Sequence, residues 1–268
     1  MKLEGRSILL TGAGSGIGRE LAIALAGKGA RLLLAGRRAR PLEETATMVS
    51  EAGGTARAVA GDVCDESHRR AALDAAVNSH GGLDILINNA GNIAAGPLER
   101  IAEADIRAMI EVGLLAPILL TRTALPLLKA SGGAMIVNVA SGFALIGMPF
   151  YSVYSGVKAG LSQFGEALRR ELIDEHVHVL TVYPIATHTP MMSTWESGAA
   201  LGAGLENPRS VAAAIVEGME KDALSVIGGG ETRRAMIALN QTAPEKLDER
   251  FANNKSAIES AARRHRSM

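Results

Sequence analysis

Short aliphatic runs alternate with longer amphipathic segments along most of the chain. The runs are bounded by glycine or charged residues, which is typical of strands buried on both faces of a sheet. They lie at residues 7–11, 31–35, 56–60, 85–88, 135–139, 177–182 and 225–227. The segments between them, such as residues 18–28 and 42–52, place apolar side chains at helical spacing. This alternation predicts an α/β fold, a Rossmann-like doubly wound parallel sheet of about seven strands with helices on both faces and a ligand crevice at the carboxyl ends of the strands.

The same pattern predicts one domain over residues 1–243, followed by a polar tail. Within the domain, residues 185–207 break the rhythm, and we expect a mobile lid over a ligand site there. The apolar side chains of this segment either pack the lid or contact the substrate, and they are Met191, Met192, Trp195 and Leu201. We favour substrate contact because Met and Trp side chains adapt to apolar ligands. Residues 244–268 read as a polar C-terminal helical tail on the surface, whose basic end we interpret as solvated rather than docked.

Composition narrows the classes of protein. Twenty-eight basic residues balance twenty-eight acidic ones, so no overall field attracts nucleic acid or an anionic membrane. The single cysteine, Cys64, excludes a disulfide within the chain, and the first strand begins too early to leave room for a signal peptide. The most apolar stretch, residues 114–120, contains Pro117 and is too short to cross a bilayer. We therefore expect a soluble, cytoplasmic protein that binds neither nucleic acid nor membranes.

A glycine-rich turn follows the first predicted strand and opens the first predicted helix. Gly12, Gly16 and Gly18 have the spacing Gly-x-x-x-Gly-x-Gly, with Ser15 and Ile17 between them. A glycine turn at a helix N-terminus offers backbone N–H groups to a pyrophosphate. We therefore predict that these five residues bind a dinucleotide, against the alternative of a merely flexible turn.

Two further strand ends carry candidate cofactor contacts. Asp62 and Val63 follow the third strand, where the carboxylate is placed for the adenine amino group, although Asp62 could equally cap the helix that starts near residue 66. Asn89, Ala90 and Gly91 follow the fourth strand and are predicted to border the cofactor, although they could form only an Asn-rich turn.

Arginines 37 and 38 follow the second strand, where enzymes that prefer NAD usually carry a carboxylate for the ribose 2′-hydroxyl. A guanidinium suits the 2′-phosphate of NADP instead. The sequence therefore predicts NADP(H) as the preferred cofactor, with NAD(H) as the less favoured choice.

Ser141, Tyr154 and Lys158 are the candidate catalytic residues. Tyr154 and Lys158 stand four residues apart, so they project from one face of a predicted helix and the ammonium is expected to lower the pKa of the phenol. Ser141 ends the fifth predicted strand and can donate a hydrogen bond to an oxygen that gains charge. A Tyr-x-x-x-Lys pair alone usually marks only an exposed helix face. Together with Ser141 and the glycine turn upstream, this pair indicates a catalytic role.

At this point the chain resembles the short-chain dehydrogenase/reductase family over almost its whole length. The matching residues occur in the family's order and are Thr11 to Gly18, Asp62, Asn88 to Gly91, Ser141, Tyr154 to Lys158, Tyr183, Pro184, Thr187 and Thr189. The resemblance implies Tyr154 as catalytic acid/base, Lys158 on the nicotinamide ribose, and Ser141 on the substrate carbonyl. It also implies that Pro184, Thr187 and Thr189 contact the cofactor.

The chain departs from the family pattern at two positions. Gly113 stands where the family usually has a catalytic Asn, and glycine inside a helix is also unfavourable by about 1 kcal/mol relative to Ala. Ile185 replaces the usual Gly after Pro184. Gly113 motivates an alternative interpretation, a protein that binds the cofactor as a sensor or scaffold and is a weak catalyst.

The principal prediction is an NADP(H)-dependent oxidoreductase that interconverts a ketone or aldehyde and an alcohol. The helix around residues 114–128 is apolar on nearly all sides, which predicts a homodimer or homotetramer, as the family resemblance also implies. His176 and His178 have no acidic or thiol partner at a metal-binding spacing, so no metal is predicted.

Overall fold

The structure is a computed structural model that describes residues 1–195 and 204–267. Its strands are β1 (Ser7–Thr11), β2 (Arg31–Gly36), β3 (Thr55–Ala60), β4 (Ile85–Asn88), β5 (Ile93–Ala94), β6 (Ala134–Val139), β7 (Val177–Tyr183), β8 (Ser225–Ile227) and β9 (Arg266–Ser267). Its α-helices are α1 (Gly16–Ala26), α2 (Ala39–Glu51), α3 (Glu66–His80), α4 (Glu103–Ile110), α5 (Ala116–Ala130), α6 (Ser152–Glu171), α7 (Pro208–Glu220), α8 (Gly230–Thr242), α9 (Pro244–Asn253) and α10 (Lys255–Ala262).

Seven parallel strands form the main sheet in the order β3-β2-β1-β4-β6-β7-β8. Buried side chains of α1, α2 and α7 cover one face, and those of α3, α5 and α6 cover the other. The predicted Rossmann-like doubly wound fold is therefore confirmed. The strand order reverses between β1 and β4, and in such sheets ligands bind beyond the carboxyl ends of the strands at this point.

The two edge strands differ from the prediction that every strand is buried on both faces. Side chains of β3 alternate between exposed and half-buried, and β8 begins with the exposed Ser225. Each of these strands has only one neighbour in the sheet, so solvent reaches them. The five strands between them are buried along almost their whole length.

A π-helical turn, Glu111–Leu115, joins α4 to α5 without a break. The whole stretch, Glu103–Ala130, is long and apolar enough to span a bilayer by length and composition. Helices that pack in the core of soluble proteins meet the same criterion, and α5 packs on β4 and β6.

The C-terminal segment differs most from its prediction. Residues 244–262 form α9 and α10, and β9 then pairs antiparallel with β5 just after β4. Leu247, Ile258 and His265 are buried. The expectation of a solvated end is wrong, because the apolar side chains of these two short helices complete a third core cluster around Tyr154 and Val157.

The predicted lid lies partly outside the described residues, since residues 196–203, and with them the predicted substrate contact Leu201, are not described. Its two described ends are joined to each other. Thr187 forms a parallel bridge with Glu206, and the His188 N–H donates to the Glu206 carbonyl at 2.9 Å.

Candidate active site

A cavity of about 880 Å³ opens at the carboxyl ends of the central strands. Every residue that we predicted to be catalytic or to bind the cofactor lines it. Met191, Met192 and Trp195 of the predicted lid line it as well. The structure thus brings the predicted site residues together, and their individual roles stay predictions.

The glycine turn has the backbone shape that a phosphate cradle needs. Gly12 and Gly16 adopt left-handed φ angles of 68° and 55°, which favour glycine. A Cβ on Gly18 would overlap the Gly12 carbonyl oxygen, so helix α1 approaches the turn closely. The N-terminus of α1 therefore faces the cavity with backbone N–H groups suited to an anion.

Asn89 stabilises this turn from the neighbouring strand. Its side-chain amide donates to the Thr11 carbonyl at 2.9 Å, and its backbone N–H donates to the Thr11 hydroxyl at 3.0 Å. The Ala90 N–H donates to the same hydroxyl at 3.1 Å. Asn89 therefore has a structural role in addition to its position on the cavity wall.

Asp62 does not cap the following helix. Its Oδ1 accepts a hydrogen bond from the Cys64 N–H at 2.9 Å, and Asp65 occupies the position before the first residue of α3. The carboxylate instead stabilises a tight turn at the cavity wall beside Val63.

Arg37 and Arg38 are exposed at the rim of the cavity after β2. Neither forms an ion pair with another residue of the described ranges. Both guanidinium groups can therefore turn toward a phosphate without breaking an existing pair.

The three candidate catalytic residues come from β6 and α6. Ser141 follows β6, and its hydroxyl oxygen accepts the Phe143 N–H at 3.2 Å. Lys158 is buried on α6, where its Nζ donates to the Val139 carbonyl at 2.9 Å and lies 5.9 Å from the centre of the Tyr154 ring. Strand β6 and helix α6 therefore place an ammonium, a phenol and a hydroxyl on one wall.

The pKa of Tyr154 moves opposite to our expectation. Burial raises it to about 12, although a hydrogen bond with Ser141 lowers it. Burial also lowers the pKa of Lys158 to about 8, so part of its positive charge is lost just above neutral pH. The phenol of Tyr154 is consequently protonated at neutral pH and can act as an acid.

The structure gives a packing reason for Gly113. This residue is buried in the π-helical turn, and a Cβ placed on it would lie 2.6 Å from the Cγ1 of Val157. Real Cβ atoms essentially never approach other atoms so closely. Close packing therefore accounts for Gly113 despite the intrinsic cost of glycine inside a helix, because an Asn side chain would collide with Val157 of α6, next to Lys158.

The C-terminal segment contributes a wall that sequence reasoning missed. His265 lies 3.0 Å from the Tyr151 hydroxyl through Nδ1 and 3.0 Å from the Met191 carbonyl through Nε2. A carbonyl only accepts, so Nε2 carries the proton, and burial lowers the pKa of His265 and keeps the ring neutral. Nδ1 then accepts from Tyr151, three residues before Tyr154. The apolar positions at Leu247 and Ile258 were the only sequence signal for this packing.

The candidate metal histidines lie elsewhere. Nε2 of His178 is 2.8 Å from the Ala223 carbonyl, and neither His176 nor His178 lines the cavity. Within the described ranges there is no group of three or more acidic, thiol or imidazole side chains positioned to hold a metal ion.

Comparison with known proteins agrees with this geometry. The family model for short chain dehydrogenases matches residues 6–200. The chain is 35% identical over 252 residues to the ketoacyl reductase HetN of Nostoc sp., covering 92% of this chain and 88% of that protein. It is 35% identical to an uncharacterized oxidoreductase of Thermotoga maritima, covering 70% of this chain and 74% of that protein.

A solved structure shows the same architecture. The crystal structure of a proposed short-chain alcohol dehydrogenase from Sinorhizobium meliloti 1021 superimposes with a TM-score of 0.67 at 32% identity. The match covers 71% of this chain and 75% of that one. From the shared fold, the residues gathered in the cavity and the matching family model, we conclude that this chain belongs to the short-chain dehydrogenase family of NAD(P)-dependent oxidoreductases.

Proposed function

We propose that the protein is an NADP(H)-dependent reductase of a ketone or aldehyde. The observation that carries this proposal is the convergence of Ser141, a protonated Tyr154 and Lys158 in the cavity that the glycine turn also lines. The name of the ketoacyl reductase relative, which describes reduction of a carbonyl, supports the same direction.

The cavity fits a dinucleotide on structural grounds. It combines the N-terminus of α1, two glycines with left-handed φ and a buried Lys158 whose Nζ is held by the Val139 carbonyl. We expect the N-terminus of α1 to hold the pyrophosphate and Lys158 to hold the nicotinamide ribose. When bound, NADPH supplies a hydride for the carbonyl carbon.

The chain's own residues would handle the carbonyl oxygen. Ser141 donates a hydrogen bond that orients this oxygen and stabilises its growing negative charge. Tyr154 then transfers the proton of its Oη, and the raised pKa ensures that this proton is present at neutral pH. At neutral pH the phenol is therefore in the protonated state that carbonyl reduction requires, whereas alcohol oxidation requires that it first lose its proton.

Replacing Tyr154 by Phe tests this assignment. The variant removes the proton donor and leaves the ring in its apolar surroundings, so turnover should fall by about 100-fold or more while NADPH binding persists. A panel of ketones and aldehydes, followed by loss of NADPH absorbance, measures turnover, and quenching of Trp195 fluorescence measures binding. Activity near the wild-type rate in Tyr154→Phe would show that another group is the acid.

The preference for NADP(H) rests on Arg37 and Arg38. Both are free of ion pairs among the described residues, and no carboxylate of β2 or its following turn competes for the 2′-position. We expect a lower Michaelis constant for NADPH than for NADH, and the double variant Arg37→Ala, Arg38→Ala should remove most of this difference. An equal or lower Michaelis constant for NADH in the wild type would refute the preference.

A further inference from the structure

The cavity has a charge that the chain as a whole does not have. The full sequence is neutral, yet the described lining residues include five cations and one carboxylate. The cations are Arg37, Arg38, Lys158, Arg233 and Arg250, and the carboxylate is Asp62. Arg37 and Arg38 are already assigned to the 2′-phosphate of the cofactor, and Lys158 to the ribose and the proton donor. Arg233 and Arg250 remain without an assigned ligand.

Arg233 lies beside the catalytic serine. It stands in the first turn of α8, and a Cβ placed on Gly142 would lie 2.7 Å from its Nη2. The guanidinium group therefore covers the residue that directly follows Ser141. This position borders the part of the cavity where Ser141 would hold the substrate carbonyl.

Two of the three nitrogens of the Arg233 guanidinium are buried and unpaired among the described residues. Its Nε and Nη2 are shielded from solvent and have no hydrogen-bond partner within the described ranges. Glu206, which contacts the start of α8, accepts the Gly229 N–H at 3.2 Å and forms no ion pair with Arg233. An arginine side chain keeps its charge in a protein, and a buried charge without a partner is strongly unfavourable.

Two physical facts indicate what would satisfy this group. The fork of N–H donors on a guanidinium matches a carboxylate, which can accept two of them at once. Arg233 also stands at the N-terminus of a helix of 13 residues, whose dipole adds positive potential at the same place. Phe143, Met236 and Phe251 line the same cavity and provide apolar surface for a carbon chain.

We propose that Arg233 binds a carboxylate of the substrate, so that the enzyme acts on an oxo-acid and its hydroxy-acid counterpart. This inference rests on the proposed carbonyl reduction and narrows its substrate class. Arg233 is here a specificity residue: it holds the substrate's acid group while Ser141 and Tyr154 act on the carbonyl.

A series of oxo-carboxylates with increasing distance between the carbonyl and the acid group tests the proposal, each compared with its methyl ester. At the best chain length the wild type should prefer the acid over the ester by about 10- to 100-fold in kcat/KM, mainly through KM. Arg233→Met should lose this preference, because kcat/KM should fall far more for the acid than for the ester. Arg234→Met, which removes the neighbouring exposed arginine, is the matched control and should keep the preference.

A binding measurement separates this proposal from the proposed function. Calorimetry with sodium hexanoate, in the presence of NADP⁺, should show binding to the wild type and Arg234→Met but about tenfold weaker binding to Arg233→Met. Hexanamide, which lacks the charge, should bind all three equally. If no carbonyl compound is reduced but hexanoate binding still depends on Arg233, the proposed reduction fails and the carboxylate site stands.

The stability of the variants checks that Arg233 has no purely structural role. Because Arg233→Met removes an unpaired buried charge, its Tm without ligand should equal or exceed that of the wild type. Arg233→Lys keeps the positive charge but not the paired N–H donors of a guanidinium, so it should keep part of the preference for the acid over the ester. Equal reduction of acids and esters by the wild type, or equal hexanoate binding by wild type and Arg233→Met, would overturn the proposal.

Discussion

The close approach of Gly113 to Val157 predicts that Gly113→Ala destabilises the protein when Val157 is present and stabilises it when Val157 is replaced by Ala. In Gly113→Ala the new Cβ would lie 2.6 Å from the Cγ1 of Val157. Ordinary contact begins near 3.4 Å, so the two groups must separate by almost an ångström. Val157 is buried on α6, where a β-branched side chain has essentially one χ1 rotamer, so it cannot turn away without strain.

The magnitudes of the opposing effects are known approximately. Overpacking of this kind destabilises by about 1–3 kcal/mol, and replacing a helical Gly by Ala stabilises by about 1 kcal/mol. Gly113→Ala should therefore lower the free energy of unfolding by about 1 kcal/mol. In a Val157→Ala background the collision is absent, and the same change should raise the free energy of unfolding by about 1 kcal/mol.

Urea unfolding of the wild type, the two single variants and the double variant measures this cycle. Val157→Ala alone should destabilise by about 2 kcal/mol through lost burial, and it serves as the reference for the double variant. A coupling energy of about 2 kcal/mol between the two positions is expected. If Gly113→Ala stabilises equally in both backgrounds, Val157 yields freely, and packing against α6 does not explain the missing Asn.

Three further predictions concern the ionisable groups. With the pKa of Tyr154 raised to about 12, kcat/KM for alcohol oxidation should rise about tenfold per pH unit from neutral pH upward, and a plateau near pH 7 would contradict this. The pKa of Lys158 is lowered from 10.5 to about 8, so the folded state loses stability as the pH falls through this window. As the pH falls through this window, the free energy of unfolding of Lys158→Met should therefore rise by up to about 3 kcal/mol relative to that of the wild type. Urea unfolding at several pH values measures this, and a pH-independent difference would refute it. His265→Phe removes the acceptor of the Tyr151 O–H and the donor to the Met191 carbonyl, although Trp195 still hydrogen-bonds to the Tyr151 oxygen, and it should destabilise by about 2–4 kcal/mol. His265→Gln, which keeps a donor and an acceptor, should lose less; equal losses in thermal melts would show that these bonds contribute little.

The central fold could be predicted because its signals are local. Runs of aliphatic residues marked every end of the seven main-sheet strands to within one residue, since a parallel strand covered on both faces must be apolar throughout. The proximity of the candidate catalytic residues could be predicted equally well, because Tyr154 and Lys158 lie one helical turn apart and Ser141 closely follows β6.

The substrate side could not be predicted because its contacts join distant parts of the chain. The pairing of β9 with β5 involves two residues on each strand, too few to produce a periodic pattern. Neither Arg233 nor His265 carries a local sequence signal of its position, because only the folded α8 and C-terminal segment bring them to the cavity. The pKa of Tyr154 likewise depends on burial, which the spacing to Lys158 does not reveal.

Because the last described residues pair with β5, the cofactor-binding turn and part of the cavity wall come from different segments of the chain. The glycine turn and its sheet come from early and central segments, whereas Phe251, Ile258 and His265 enclose the opposite wall from a segment that adds no strand to that sheet. Substitutions there can alter which molecule fits without disturbing the dinucleotide cradle. New substrate ranges can therefore evolve, or be selected in the laboratory, by varying roughly the final tenth of the sequence alone.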